Sequence, residues 1–210
     1  MLVRQRTRAA LQAAALFYVV DRGWPVLPGA YVEDGRCSCG DAECPDPGAH
    51  PAAEPGSTQA TCSTDEVWQW WSGKPYTVLL ASGVEFDVLD APADVGYAAI
   101  GQLERAGMAP GPVLHLPSER LLFLVDPGAR SLYWYTVDHN DSTRFDVRHH
   151  AMGHYVPAPP SSTACGGLTR WAVPPDPVER GLPGAVDVLG ALIRFSTHSG
   201  SAAQASRTWP

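Results

Sequence analysis

Residues 36–51 read RCSCGDAECPDPGAHP and place three cysteines and one histidine in one short segment. A segment this polar and this rich in Gly and Pro cannot bury an apolar core of its own. Thiol and imidazole ligands suit a tetrahedral zinc ion, and the predicted ligands are Cys37, Cys39, Cys44 and His50. The alternative is a disulfide with a spare thiol. Zinc is favoured because His50 supplies a fourth ligand and no secretory signal precedes the loop. Four protein ligands indicate a structural metal.

The composition is that of a globular, lightly charged chain. Of its 210 residues, 45% are hydrophobic and 18% are charged, which suffices for one good-sized core. Ala, Gly, Pro and Arg are abundant and Lys74 is the single lysine, a usage typical of high-GC genomes. The net charge of −7 counts against strong nonspecific binding to a nucleic-acid backbone, although it leaves room for a local basic groove.

The N-terminal segment predicts an amphipathic helix rather than a targeting signal. Its apolar part, residues 9–20, is interrupted by Gln12 and Tyr18, and no small-residue cleavage site follows. No apolar run approaches the length of a membrane span. We therefore expect a cytoplasmic protein with no membrane partner.

Hydrophobic periodicity and capping signals predict an α+β fold with a mixed or antiparallel sheet flanked by helices. The predicted helices are residues 7–22, 64–73, 93–106 and 185–195. The predicted strands are residues 24–28, 76–80, 84–89, 113–116, 120–125, 132–137, 143–147 and 155–156. The predicted organisation is one domain at 1–178 containing the zinc loop 36–51, then a C-terminal helix within 179–196 and a disordered tail at 197–210.

Some remaining polar residues have both a functional and a bland interpretation. His149, His150 and His154 could bind metal or phosphate, but three histidines in a predicted surface turn are more often solvated. Cys62 and Cys165 have no catalytic spacing around them and are predicted to be buried small side chains. The tryptophan stripe of the second helix is more typical of a core than of a base-stacking platform.

Several segments together carry a resemblance to a known family. In order they are RGWPV at 22–26, the loop 36–51, TDEVWQWW at 64–71, GVEFDVLD at 83–90, GPV at 111–113, RLLFL at 120–124, and FDVR with GHYVPAPPS within 145–161. On these segments the chain resembles the N-terminal prim-pol domain of bifunctional DNA primase/polymerases, within the archaeo-eukaryotic primase superfamily. The resemblance covers about residues 10 to 175.

The resemblance implies a fold, an activity and a set of partners. It implies a prim-pol-like fold with a zinc-binding loop, and DNA-directed nucleotidyl transfer from ribo- or deoxynucleoside triphosphates. Two Mg²⁺ or Mn²⁺ ions held by converging carboxylates would serve that reaction. Nucleotides, DNA or a replication partner protein are the implied partners.

The resemblance also implies which acidic residues hold the metals. Asp87 and Asp90 occupy the first acidic segment, but a regular strand would point residues three apart to opposite faces. Glu85 and Asp87 share a face and are an inferred substitute pair, while Asp146 stands where the third acid is expected. The alternative is that these are turn or strand-end acids, with Asp90 as an N-terminal helix cap.

The implied phosphate-binding residues depart further from the family pattern. Arg120 replaces the histidine that precedes a Leu-aromatic-Phe segment, and an arginine can still bind a phosphate with two hydrogen bonds. Arg148 and Ser161 are further nucleotide-binding candidates, and Ala49 stands where a basic residue usually precedes the loop histidine.

Three functions are consistent with these residues. The first is a metal-dependent primase/polymerase. The second is an inactive relative that keeps the fold and zinc loop and binds a nucleotide or a partner. The third is a zinc-stabilised regulatory protein with no nucleotide chemistry.

Overall fold

The computed structural model describes residues 2–52, 59–138, 145–163 and 167–205. The helices are α1 (Leu2–Arg22), α2 (Thr64–Gly73), α3 (Ala93–Arg105), α4 (Arg130–Tyr133), which continues into a π-helical turn (Trp134–Asp138), and α5 (Ala185–Ala205). The strands are β1 (Val26–Gly29), β2 (Val32–Glu33), β3 (Arg36–Cys37), β4 (Thr77–Ala81), β5 (Asp87–Pro92), β6 (Val113–Leu116), β7 (Arg120–Val125), β8 (Arg148–His150), β9 (Tyr155–Pro157), β10 (Ser162–Thr163), β11 (Gly167–Leu168) and β12 (Arg170–Val173). The fold class is α+β, as predicted.

The chain divides into two compact units. The first comprises residues 1–85 and 152–171, and the second comprises residues 86–151 and 172–210. Among the helices of the described ranges, none is both long and apolar enough to cross a membrane.

The first unit is built on an antiparallel sheet in the order β1-β4-β9. Helices α1 and α2 pack against one another, and α1 also contacts β4. Ser63 caps α2 by accepting a hydrogen bond from the Glu66 amide, which confirms the predicted helix start. Trp71 of this helix is fully buried and donates its indole N–H to the Tyr76 carbonyl at 2.8 Å, whereas Trp68 is 55% exposed.

The second unit is built on a five-stranded sheet in the order β12-β6-β7-β5-β8. Strand β5 pairs antiparallel with both β7 and β8, and β6 pairs antiparallel with β7. Helices α3 and α5 pack on this sheet and form an apolar cluster with strand residues that include Leu89 and Phe123. A Cβ at Gly96 would lie 2.7 Å from the Leu121 side chain, so glycine allows α3 to approach β7 closely.

Several predicted elements differ from the structure. Strand β5 begins at Asp87 rather than at 84 and continues to Pro92. Residues 132–137, predicted as a strand, are helical, because Leu132, Tyr133 and Val137 then reach one apolar cluster. The predicted strand 143–147 is wrong within its described part, since residues 145–147 precede β8; residues 143–144 lie outside the described ranges. Helix α5 also extends beyond its predicted end at residue 195, to Ala205; the disorder predicted for the tail 197–210 stays a prediction.

Candidate functional site

The cysteine-rich loop begins with a tight hairpin between β2 and β3. Asp34 and Gly35 at its tip both have positive φ, 49° and 75°, which is the conformation that a two-residue turn of this type requires. The hairpin pairs Val32 with Cys37 and thereby fixes Cys37, which is buried, on a strand. One predicted ligand is therefore positioned by secondary structure and not by the loop alone.

His50 is held against the edge of β1 by backbone hydrogen bonds. The Ala30 amide donates to the His50 carbonyl at 2.8 Å, and the Ala52 amide donates to the Pro28 carbonyl at 2.9 Å. His50 Nδ1 lies 2.9 Å from the Pro51 carbonyl, which can only accept, so Nδ1 carries the proton. The lone pair of Nε2 is then available to a metal.

The four predicted ligands converge. His50 Nε2 lies 3.3 Å from Cys37 Sγ and 3.4 Å from Cys44 Sγ, and the ligand atoms of Cys37, Cys39, Cys44 and His50 all lie within 4.8 Å of one another. Among the described residues, these four side chains form the group of three or more His, Cys, Asp or Glu residues whose ligand atoms lie close enough together to share one ion. All three cysteines are free, so the disulfide alternative is not seen here. The loop could hold one metal ion.

Backbone amides favour the thiolate form of one ligand. Burial raises the pKa of Cys37, but hydrogen bonds with the Cys39 and Gly48 amides, and with the side chains of Cys39 and His50, outweigh it and lower the pKa to about 6. Gly48 has φ +78°, and a Cβ there would lie 2.7 Å from the Ser162 carbonyl, so only glycine fits. The loop conformation thus supplies part of the stabilisation that a metal-binding thiolate needs.

The acidic residues of the second unit lie on two faces of its sheet. Asp87 is 2% exposed, and its Oδ2 accepts hydrogen bonds from the Gly128 amide at 3.0 Å and the Ala129 amide at 2.8 Å. His149 Nε2 approaches the same oxygen at 3.2 Å. Asp87 therefore anchors the turn before α4, on the face that carries the apolar cluster.

Asp90 and Asp146 meet at one guanidinium, which belongs to Arg120. Arg120 Nε donates to Asp90 Oδ1 at 2.5 Å, and its Nη1 donates to Asp146 Oδ1 and Oδ2 at 3.1 and 2.9 Å. Its Nη2 donates to the backbone carbonyls of Asp90 and Asp146, each at 3.3 Å. His150 Nε2 lies 3.1 Å from the other oxygen of Asp90. We refer to Asp90, Arg120, Asp146 and His150 as the arginine cluster.

The charge of Arg120 is firmly held. Burial alone would lower its pKa, but the hydrogen bonds and charges of Asp146 and Asp90 raise the pKa above its ordinary value. Because every nitrogen of the guanidinium has an acceptor in the cluster, none is left over for a phosphate in this conformation.

The other predicted site residues lie elsewhere. Glu85 is exposed in a bend before β5, so it shares no strand face with Asp87. Arg148 is 62% exposed, and its Nε lies 3.7 Å from Asp146 Oδ1. Ser161 is fully buried in the first unit, where its hydroxyl accepts the Val78 amide at 2.9 Å. Asp90 is not a helix cap, because it lies within β5 and Pro92 precedes α3.

Two of the bland interpretations were wrong. His149 and His150 are not solvated turn residues: they belong to β8, with side chains 6% and 25% exposed, whereas His154 is exposed as predicted. The alternation of a strand was the signal for this arrangement. His149 and His150 are consecutive strand residues and face opposite sides of the sheet, and Asp87 and Asp90, three residues apart, do the same. Cys62 is exposed rather than buried. Cys165 lies outside the described residues.

Comparison with known proteins supplies the family. No curated protein and no solved structure gives a significant match to the chain. The profile of the Prim-Pol family, described as bifunctional DNA primase/polymerase, N-terminal, matches residues 15–184, a range that contains the cysteine-rich loop, both aspartates of β5 and the whole arginine cluster. The chain belongs to the family of N-terminal domains of bifunctional DNA primase/polymerases.

Proposed function

We propose that this primase/polymerase-family domain binds nucleotides or single-stranded DNA without carrying out two-metal nucleotidyl transfer in the conformation described. The observation that carries the proposal is the guanidinium of Arg120 between the carboxylates of Asp90 and Asp146. Domains of this family are primase/polymerase-like and typically use divalent metals, which need several carboxylates free to converge on them.

The acidic residues of this chain do not fit a pair of divalent ions. Asp87 lies on the opposite face of the sheet from Asp90, and Arg120 already forms ion pairs with the other two carboxylates. An ion placed among them would also be repelled by the fixed positive charge. At an effective dielectric constant of about 20, two unit charges about 4 Å apart interact by about 4 kcal/mol, and a divalent ion doubles that repulsion, which offsets part of its attraction to the carboxylates.

Metal-dependent nucleotidyl transfer is the second candidate function. Family membership favours it, and so does the meeting of Asp90 and Asp146 at one point. It requires Arg120 to leave both carboxylates, so that its guanidinium could contact a triphosphate instead.

A primer-extension assay separates the two functions. We expect the wild-type protein to incorporate no ribo- or deoxynucleotide on a labelled primer–template with Mg²⁺ or Mn²⁺, because Arg120 occupies the cation position. Nucleoside triphosphates should nevertheless raise its melting temperature without being turned over.

The control for this assay is Asp146→Ala, measured beside an unrelated polymerase that verifies the substrates. Mn²⁺-dependent extension by the wild type that disappears in Asp146→Ala would contradict the proposal and establish the second candidate. Absence of any melting shift with nucleotides would reject the binding function.

We further propose that the loop Cys37, Cys39, Cys44 and His50 holds a structural zinc ion. All four positions are protein ligands, which leaves no open coordination position for chemistry. Metal analysis of the purified protein should give about one zinc per chain.

The variant Cys44→Ser tests the ligand set, and Cys62→Ser is its matched control because Cys62 is a free thiol outside the loop. We expect zinc content to fall sharply in Cys44→Ser and to be unchanged in Cys62→Ser. Equal zinc in both variants would remove Cys44 from the ligands.

A further inference from the structure

A second concave site lies in the second unit, beside α4 and the π-helical turn that follows it. It is a pocket of about 450 Å³ lined by Arg130, Ser131, Tyr133, Trp134, Tyr135 and His149. Its volume falls in the range of small-ligand pockets. Single π-helical turns are rare and recur at functional sites. We call it the aromatic pocket; it lies on the Asp87 side of the sheet, because His149 and not His150 contributes to it.

The walls of the aromatic pocket include two exposed aromatic rings. Trp134 is 48% exposed and Tyr135 is 64% exposed, with their ring centroids 4.9 Å apart in an edge-to-face arrangement. Further in, Tyr133 packs against the His149 ring at a centroid distance of 5.3 Å. Two adjacent aromatic side chains that remain accessible at a pocket offer faces on which a planar ligand can stack.

His149 lines this pocket with its ring, while its Nε2 is directed to Asp87. The side chain is 6% exposed, and Nε2 lies 3.2 Å from Asp87 Oδ2. The imidazole therefore adds a further planar ring beside Tyr133.

Arg130 supplies the positive charge at this site. It is exposed, and it makes no ion pair with any residue in the described ranges. Stacking faces combined with an accessible guanidinium match a ligand that joins a planar heterocycle to an anionic group. Nucleotides have this chemistry, both free and within a single strand.

We infer that the aromatic pocket binds a nucleobase, with its phosphate directed to Arg130. This inference rests on the proposed function and gives its ligand a location separate from the arginine cluster. Because the base would stack on Trp134, binding should tolerate different base identities.

The inference is tested by binding to the full chain, measured by fluorescence anisotropy with labelled oligothymidylate and by competition with deoxyadenosine monophosphate. Trp134→Ala should weaken binding by about tenfold or more, the effect expected for one lost stacking contact. Trp134→Phe should recover most of it. Arg130→Ala should weaken binding and reduce its dependence on salt concentration.

Trp68→Ala is the matched control, because Trp68 is a similarly exposed tryptophan of the first unit, and it should change binding by less than about twofold. Competition by the mononucleotide assigns the pocket to free nucleotides. Binding of the oligomer without such competition assigns it to single strands. Either result supports a site for a nucleobase. Wild-type binding that is equal in Trp134→Ala and Trp68→Ala overturns the location and leaves the proposed function standing. Absence of wild-type binding to both probes overturns the inference.

Discussion

Arg120→Met will lower the free energy of unfolding by about 3 kcal/mol at neutral pH, the lower end of the range for breaking a buried ion pair from one side. The variant keeps the aliphatic bulk but removes the guanidinium from Asp90, whose side chain is 7% exposed and which keeps the His150 imidazole at 3.1 Å. The unpaired charge of Asp146 contributes less to this loss of stability, because the Asp146 side chain is 54% exposed. Urea unfolding gives the measurement.

The matched control for this prediction is Arg148→Met. Arg148 also approaches Asp146, but it is mostly exposed and 3.7 Å away, so its loss should cost less than about 0.5 kcal/mol. Equal stability of Arg120→Met and wild type at neutral pH would show that the arginine cluster contributes nothing to folding.

Removing the loop metal will have the other large effect. Zinc loops gain on the order of 10 kcal/mol of binding free energy that supports their folded state. The segment from Cys37 to His50 has few buried side chains, so apolar burial cannot replace the stabilisation that the metal supplies. We expect a strong chelator to lower the melting temperature by about 10 °C or more, since each kcal/mol shifts it by about 2–4 °C in a chain of this size.

Readdition of zinc should restore the melting temperature, and the Cys44→Ser variant should melt low with or without the chelator. Cys62→Ser should behave as the wild type. A chelated protein that has lost its zinc and still melts at the original temperature would contradict a structural role for the metal.

The sequence predicted best the elements whose periodicity and end signals agree. Strands β6 and β7 begin and end at the predicted residues, and α2 begins at its capping box. The apolar residues of each segment fit a single periodicity, either that of a strand or that of a helix. Local propensity and tertiary packing therefore favour the same secondary structure. The convergence of the four loop side chains was likewise predictable, because all of them lie within one short segment that could hold a metal ion.

The segment 132–137 shows why local propensity was insufficient elsewhere. Its tyrosines, tryptophan, threonine and valine favour a strand. In the folded chain, Tyr133 donates its hydroxyl to the Val147 carbonyl, and Val137 is fully buried, contacts that a helical path allows. Tertiary packing therefore overrode the propensity of the segment, and the aromatic pocket formed on residues that the sequence had assigned to a sheet.

The acidic site was predictable only in part. The sequence placed Asp87 and Asp90 on opposite faces, as the structure has them. The resemblance implied that Asp146 converges with Asp87, whereas in the structure Asp146 meets Asp90 at the Arg120 guanidinium. It could not show that Arg120 would bind both Asp90 and Asp146, because that contact depends on the register between β5 and β7. In this register Arg120 lies opposite Pro92, which is two residues from Asp90 on β5. The side chain of Arg120 is therefore on the same face of the sheet as that of Asp90.

The guanidinium of Arg120 differs from a dissolved cation in being part of the polypeptide. It arrives when the chain is synthesised and stays for the lifetime of the molecule. The positive charge that it places beside Asp90 and Asp146 in the conformation described therefore needs no supply of magnesium from the surrounding solution. A site that depends on dissolved ions is instead empty or occupied according to their concentration.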